Sequence, residues 1–221
     1  MSDAYSRRLL EDCYSRLYQE CGCKEEIHSA TLGPFATEFT GFSPVLDLGC
    51  GSGMFLRILL ARNITCVGVD ASEECVEACG RASLPVIKAD ALEYLRGAAV
   101  SSYGGIFCSH LIEHLTPPHA LELFTEAYRV LRAGGKFVVL TPNFKHLTVA
   151  VEGFWLDLTH VRPYPALTLK TLATMAGFQE KKCLTYRTKN GLIPYLGNAV
   201  RWLLTGGLHA PAGGLGIVCV K

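Results

Sequence analysis

The sequence predicts an α/β fold with a doubly wound, mostly parallel sheet, and three observations support this. Five apolar runs alternate with helical patterns between residues 44 and 143. Acidic or polar side chains follow these runs, at the edge where such sheets bind ligands. A glycine-rich turn at residues 49–53 joins the first run to a helix, and this arrangement predicts a nucleotide or nucleoside site.

The first strand and its turn indicate the charge of the ligand. Asp47 lies near the end of strand 44–48, and three glycines follow at every second position. A dinucleotide-binding turn would have its third glycine at position 54, where this chain has Met54. The carboxylate of Asp47 would repel a pyrophosphate and tolerate a cation. A cationic nucleoside therefore fits this turn better than NAD does.

The next two strands also end in acids. Strand 65–70 ends at Asp70, about 20 residues past the turn, where doubly wound folds place the carboxylate that accepts both ribose hydroxyls. The alternative role of Asp70 is to cap the helix predicted at residues 72–81. Strand 85–90 ends at Asp90, which is placed to cap the helix that follows it.

The remaining elements bring the predicted sheet to seven strands. The fourth strand is expected at 104–108, and a helix at 120–131 is expected to end in a C-cap at Ala133-Gly134-Gly135, before a fifth strand at 136–143. Residues 144–165 break the alternation, and their length predicts an active-site insertion. A helix at 166–176 and two closing strands, at 181–187 and 216–220, follow.

Two further segments have less specific patterns. Residues 1–43 are predicted to form a helical cap, with helices at 5–21 and near 34–39, which covers the site or packs on the sheet edge. The apolar stretch 191–204 is too short for a membrane span, and we expect it to pack on the sheet or on a partner subunit rather than on a membrane surface. We interpret residues 1–221 as a single domain and leave open a homodimer.

Composition narrows the function classes. The formal net charge of +1 and the absence of a basic run disfavour nucleic acid as a partner. The ten cysteines include no C-x-x-C pair, and the N-terminal residues lack the apolar core of a signal peptide. We therefore expect free thiols and a cytoplasmic location.

The features in this order resemble the class I S-adenosylmethionine (SAM)-dependent methyltransferases over about residues 44–180. The resemblance implies an antiparallel pair of closing strands, a bond from the adenine amino group to Asp90, SAM as cofactor and S-adenosylhomocysteine as product. The family usually has Pro where this chain has Ala133 before the double glycine. The residues expected to bind the cofactor are Asp47, Gly49, Cys50, Gly51, Gly53, Asp70, Ala71, Asp90, Ala91, Ser109 and His110.

A narrower resemblance concerns the insertion. Residues 141–143 and 152–163 are similar to bacterial methyltransferases of polysaccharide and O-antigen modification, with Leu158 where that pattern usually has Pro. This likeness implies methyl transfer to an oxygen of a saccharide, phosphosugar or other small molecule. Two alternatives stay open: methylation of a quinone-like apolar acceptor, and a SAM-binding partner subunit without catalysis.

Several residues are candidates for catalysis and acceptor binding. His110 follows the fourth strand, beside the expected methyl group, and is a candidate general base; cofactor contact is its alternative role. His160 is a second catalytic candidate, and Trp155, His160 and Arg162 are candidates for acceptor binding. The alternative for the insertion is a network of Asp157, His160 and Arg162 that only orders the loop.

No metal site is predicted. His110, Glu113 and His114 match the H-x-x-E-H pattern of some zinc proteases, but a position after a parallel strand is the wrong context for it. Some related methyltransferases bind a divalent ion through an E-x-x-E-H segment, in which His110 would replace the first Glu. We expect Glu113 and His114 to be structural instead.

Overall fold

The computed structural model describes residues 30–147, 149–186 and 213–221. Seven strands form one sheet in this part of the chain. Their bounds are Val45–Leu48 (β1), Cys66–Asp70 (β2), Val86–Lys88 (β3), Tyr103–Ser109 (β4), Leu131–Pro142 (β5), Glu180–Tyr186 (β6) and Gly214–Val220 (β7).

Helices connect these strands. The α-helices are Met54–Leu60 (α1), Glu73–Arg81 (α2), Ala91–Gly97 (α3), Pro117–Val130 (α4) and Ala166–Ala176 (α5). Two 3₁₀-helices, Gly33–Phe39 and Ile112–His114, and a π-helical turn, Val149–Gly153, complete the elements of the described residues.

The strand order is β3-β2-β1-β4-β5-β7-β6. Strands β1 to β5 pair in parallel, whereas β7 runs antiparallel to both β5 and β6. This topology confirms the predicted doubly wound fold with its antiparallel closing pair. The order reverses between β1 and β4, so a ligand crevice is expected outside their carboxyl ends.

Apolar layers cover both faces of the sheet. On one face, Phe124 of α4 contacts Phe137 of β5 edge-on, with ring centroids 5.1 Å apart. On the other face, Phe55 of α1 stacks on Phe107 of β4 at 3.7 Å, and Phe39 contacts both rings. Because both faces are buried, the central strands are nearly continuous apolar runs, as the sequence indicates.

The double glycine is not a helix C-cap, and that prediction is wrong. Helix α4 ends at Val130, and Gly134 (φ +75°) lies within β5. There the pairing of β4 with β5 shifts register between Tyr103 and Gly105. Tyr103 pairs with Leu131 and Gly105 with Lys136, so β5 contains three more residues than β4 across this irregularity, and Gly134 takes up the left-handed backbone there without strain.

The structure describes only part of the N-terminal and C-terminal segments for which predictions were made. A 3₁₀-helix forms at Gly33–Phe39, where a short helix was predicted, and it buries Phe35 and Phe39. The predicted helix 5–21 and the apolar stretch 191–204 lie outside the described residues. Within the described ranges, no helix has the length and hydropathy needed to cross a membrane.

Candidate active site

The glycine turn follows β1, and two of its three glycines have different surroundings. Gly53 (φ +81°) is packed, since a Cβ there would overlap Leu84 and lie 2.9 Å from Cys79 Sγ. Gly51 (φ +53°) is open, because a Cβ there would meet no atom within 4 Å. Gly53 therefore serves the packing of the turn, and Gly51 leaves its backbone accessible to a ligand.

Asp70 holds this turn in place from the end of β2. Its Oδ2 accepts a hydrogen bond from the Gly51 N–H (2.8 Å), and its Oδ1 accepts one from the Ser72 N–H (2.9 Å). The cap of α2 is Ser72, whose hydroxyl oxygen accepts from the Cys75 N–H. The alternative role of Asp70 as helix cap is thus wrong, and its carboxylate is a brace between β2 and the turn.

Asp90 caps α3 as expected. Its Oδ1 accepts hydrogen bonds from the N–H groups of Leu92 (2.9 Å) and Glu93 (3.0 Å). Because Oδ1 makes both bonds, the helix does not need Oδ2. The cap and a bond from Oδ2 to a ligand are therefore compatible.

A cavity of about 130 Å³ opens between these carboxylates. Its walls are mostly apolar and its polar groups are few, a combination that suits a flat heterocycle with polar edges. Three of its leucines follow β4 or lie in α4, and the sequence reasoning missed them because their spacing indicates only core. The lining residues are Gly49, Val69, Asp70, Ala71, Ala89, Asp90, Ala91, Leu92, Leu111, Leu115 and Leu123.

Asp47 is a buried acid beside the turn. Its side chain is 2% exposed, and its Oδ2 has no hydrogen-bond partner among the described residues. Burial, with a contribution from the charge of Asp70, raises the pKa of Asp47 to about 8. A buried carboxyl oxygen without a hydrogen-bond partner fits a site that receives a cation.

His110 lies at the end of β4, next to this crevice. Its backbone has φ +54°, and its N–H donates to the Leu140 carbonyl at 2.9 Å. The ring Nδ1 lies 2.9 Å from Glu113 Oε1, and the Tyr186 hydroxyl lies 3.3 Å from Nε2. Because a carboxylate only accepts, Nδ1 carries the proton and Nε2 of the neutral ring carries a lone pair.

Glu113 connects three parts of the site. Its side chain is fully buried, and Oε2 accepts a hydrogen bond from the Thr141 hydroxyl at 3.0 Å. Its carbonyl accepts from the Val161 N–H at 2.8 Å, which ties the insertion to β4 and β5. Burial raises the pKa of Glu113, but the hydrogen bond and charge of His110 outweigh burial and leave it below its ordinary value. Burial likewise lowers the pKa of His110, and Glu113 raises it to a net value above the ordinary one.

The three predicted acceptor-binding residues of the insertion differ in how exposed they are to solvent. His160 is largely buried, with Nδ1 2.6 Å from the Phe154 carbonyl and Nε2 3.6 Å from Asp157 Oδ2. Arg162 is exposed and lies over the Tyr164 ring at 5.2 Å. Trp155 is 57% exposed. The structure therefore joins Asp157 to His160 but does not bring Arg162 into that network.

Sequence reasoning missed Tyr186, which reaches His110 from β6. Gly214 of β7 lies opposite it, and a Cβ at Gly214 would overlap the tyrosine ring. Phe35 contacts Tyr186 edge-on at 5.2 Å, so the 3₁₀-helix Gly33–Phe39 reaches the site through this ring. The feature that could have indicated Tyr186 is its pairing with Gly214 on the neighbouring strand, and this pairing can be recognised only when the register of β6 and β7 is known.

The predicted cofactor residues group around the crevice. Five of them line the cavity: Gly49, Asp70, Ala71, Asp90 and Ala91. Four others belong to β1 or its turn: Asp47, Cys50, Gly51 and Gly53. The last two are Ser109, which ends β4, and His110, which follows it.

Comparisons with known proteins agree with this geometry. The sequence profile of a family described as "Methyltransferase domain" matches residues 13–180. The solved structure of a SAM-dependent methyltransferase from Archaeoglobus fulgidus is 25% identical and covers 94% of this chain and 99% of its own, with a TM-score of 0.80. A SAM-dependent methyltransferase from Thermotoga maritima, 17% identical over 94% of both chains with a TM-score of 0.65, shows the fold alone.

One curated relative matches over part of the chain. It is an uncharacterized 37.1 kDa protein in a transposon of Streptomyces fradiae, 32% identical over 112 residues. The match covers 47% of this chain and 31% of that protein, so it spans less than a third of the relative.

The fold and the site define an α/β domain with a cavity, lined in part by Asp70 and Asp90, at the carboxyl ends of its parallel strands. With a profile match that extends over most of its length, the chain belongs to the family of methyltransferase domains. It is a SAM-dependent methyltransferase domain, as the sequence predicted, and SAM is its methyl donor.

Proposed function

We propose that this domain transfers a methyl group from SAM to a hydroxyl oxygen of a saccharide, a phosphosugar or another small molecule. The observation that carries the proposal is the His110–Glu113 pair beside the cofactor crevice. A histidine whose Nδ1–H is held by a buried carboxylate presents Nε2 as a proton acceptor. Such a base suits a hydroxyl acceptor, which must lose its proton as its oxygen attacks.

In this proposal, one side of the crevice binds SAM and the other side binds and deprotonates the acceptor. When bound, SAM supplies a methyl group that is already activated by the sulfonium. We assign Asp70 and Asp90, which line the cavity, to the adenosine part of SAM, and we assign the buried Asp47 to its positive charge. His110 takes the proton of the acceptor hydroxyl at Nε2, and Glu113 balances the charge of the imidazolium. We expect this base to contribute about 10²–10⁴-fold to the rate.

The exposed side chains of the insertion support a polar acceptor. Arg162 and Trp155 are both accessible, which leaves a guanidinium for a phosphate and an indole for a sugar face. His160 lies deeper, next to Glu113 and His114, and its proposed role is to position the acceptor or its proton. The saccharide or phosphosugar class rests on the resemblance of residues 152–163.

One observation favours a second candidate acceptor. The insertion also exposes several large apolar side chains, which a quinone-like or other apolar acceptor would cover. These residues are Leu147, Val151, Leu156, Leu158 and Val161.

Incubation with labelled SAM and a panel of sugars, phosphosugars and quinols tests the proposal. We expect transfer to a hydroxyl acceptor, and we expect His110→Asn to lower kcat about 10²–10⁴-fold while SAM affinity stays within about threefold. His119→Asn, an exposed histidine of α4, is the control. Label on a quinol alone would favour the second candidate. Tight SAM binding with transfer to no acceptor would favour a partner subunit without catalysis.

A cytoplasmic location and a homodimer remain parts of this proposal. The location is supported by the seven cysteines of the described residues, all of which are free thiols. Sedimentation of the purified chain at several concentrations tests the dimer.

A further inference from the structure

A cluster of three ligating side chains lies beside the proposed base. Glu113, His114 and His160 each offer one ligand atom, and these atoms lie within 4.8 Å of one another. Glu113 and His114 belong to the 3₁₀-helix after β4, whereas His160 belongs to the insertion. The two histidine rings are 4.7 Å apart, so the fold brings together two imidazoles that are 46 residues apart in the sequence.

Hydrogen bonds fix the tautomer of His114. The Thr159 hydroxyl is 2.6 Å from Asp157 Oδ1 and 2.8 Å from His114 Nδ1. A hydroxyl has one proton, and the carboxylate can only accept it, so Thr159 donates to Asp157. Thr159 must then accept from the Nδ1–H of His114. In the neutral ring, Nε2 therefore carries the lone pair.

His160 has the same arrangement. Its Nδ1 lies 2.6 Å from the Phe154 carbonyl, which can only accept, so Nδ1 carries the proton and Nε2 is unprotonated in the neutral ring. Metal-binding histidines usually have this pattern, with one ring nitrogen on the metal and the other N–H donated to a carbonyl or carboxylate. Both histidines of the cluster have such an outer partner.

Glu113 supplies the negative charge of the cluster. Each of its oxygens holds one hydrogen bond, to His110 or to Thr141, and keeps a further lone pair. Asp157 Oδ2, which lies 3.6 Å from His160 Nε2, adds a second carboxylate at the edge of the cluster. Two imidazoles and a carboxylate form the ligand set of many catalytic zinc sites, which keep a fourth position open.

We propose that Glu113, His114 and His160 bind a divalent transition-metal ion such as Zn²⁺, Co²⁺ or Mn²⁺. Tetrahedral bonds of about 2.1 Å would place the ligand atoms roughly 3.4 Å apart, so ligand atoms that now lie within 4.8 Å of one another would move closer by at most about 1.4 Å around the ion. The ion would share Glu113 with His110 and hold an oxygen ligand at its open position. That this oxygen is the acceptor hydroxyl rests on the proposed function, whereas binding of the ion does not.

Metal titration of the full chain, after dialysis against a chelator, tests the site. We expect calorimetry to show about one equivalent of Zn²⁺, and Co²⁺ to develop the visible bands of a four-coordinate ion. His114→Ala and His160→Ala should weaken binding at least 100-fold. Thr159→Val, which removes the outer partner of His114, should weaken it about 10–100-fold. His119→Ala, a matched exposed histidine, should bind as the wild type does.

The outcomes separate this inference from the proposed function. Absence of saturable Zn²⁺ and Co²⁺ binding overturns the metal site, and methyl transfer by the chelated enzyme would then leave the proposed function intact. Binding that survives His114→Ala and His160→Ala also overturns it, because the ion would sit elsewhere, for example on thiols. Metal binding at full strength without methyl transfer to any acceptor would instead contradict the proposed function.

Discussion

The two sides of the crevice are built in different ways. On the cofactor side, contacts are short in sequence: Asp90 caps its own helix, and Asp70 reaches Gly51 over 19 residues. On the acceptor side, the His110–Glu113 pair is local, but each of its members also has a distant partner: Glu113 contacts Thr141, 28 residues away, and His110 contacts Tyr186, 76 residues away. A local motif thus builds the first side, and the assembled fold builds the second.

The largest expected effect is that of Glu113→Ala on the acceptor side. The substitution leaves the Nδ1–H of the partly exposed His110 and the buried Thr141 hydroxyl without their partner, and each group left unpaired costs about 1–3 kcal/mol. Urea unfolding should show this loss. The control is Glu122→Ala, which breaks an exposed ion pair with Arg96 and should change stability little. Equal stability of the two variants would refute the anchoring role of Glu113.

Two alanine substitutions in the glycine turn should separate packing from ligand binding. Both Gly53→Ala and Gly51→Ala force a side chain into left-handed backbone, which costs about 1–2 kcal/mol. Gly53→Ala also overpacks Leu84 and Cys79, at about 1–3 kcal/mol more, so it should be the less stable of the pair in urea. Gly51→Ala should lose SAM affinity out of proportion to its stability loss. The opposite order would reverse the roles given to these glycines.

On the cofactor side, Asp70→Asn should weaken SAM binding by about 1–3 kcal/mol, or about 5–150-fold, as measured by calorimetry. Asn has one acceptor oxygen, so it can keep only one of the two N–H bonds that Asp70 accepts on separate oxygens. Asp90→Asn should weaken binding less: its Oδ1 keeps both bonds of the cap, so the substitution removes only the bond expected from the adenine amino group to Oδ2. If Asp90→Asn weakens SAM binding more than Asp70→Asn does, then the hydrogen bonds from Asp70 to the turn do not control the affinity for SAM.

Asp47 is expected to make the stability of the fold depend on pH. The folded protein keeps the proton of Asp47 up to about pH 8, whereas the unfolded chain releases it near pH 4. The stability from this group is therefore fully present below pH 4 and falls, on the order of a few kcal/mol, as the pH rises toward 8. Thermal unfolding without SAM should show a shallower fall for Asp47→Asn. Parallel curves would mean that Asp47 is ionised in the fold.

The sequence pointed to Gly51 and Asp70 because their signals are local: a strand, a glycine turn and an acid at a fixed distance. The hydrogen bond between the Gly51 N–H and Asp70 was not predicted, because the ribose and helix-cap roles considered for Asp70 do not require it. The fold class followed from the same alternation of apolar runs.

The acceptor side was less predictable because its contacts depend on register and on the path of the insertion. Tyr186 reaches His110 only because β6 pairs with β7 in one register opposite Gly214. The double glycine was misread for a related reason: a left-handed glycine suits a helix end and a bulge equally, and pairing with β4 decides between them.

Single-turnover methyl transfer at saturating SAM tests most directly whether the two sides have separate roles. Asp70→Asn should recover a rate near that of the wild type once SAM saturates it, because its defect lies in binding. His110→Asn should remain about 10²–10⁴-fold slow at any SAM concentration. If saturating SAM restores His110→Asn instead, then His110 contacts the cofactor rather than acting as the base, and the proposed division of the site is wrong.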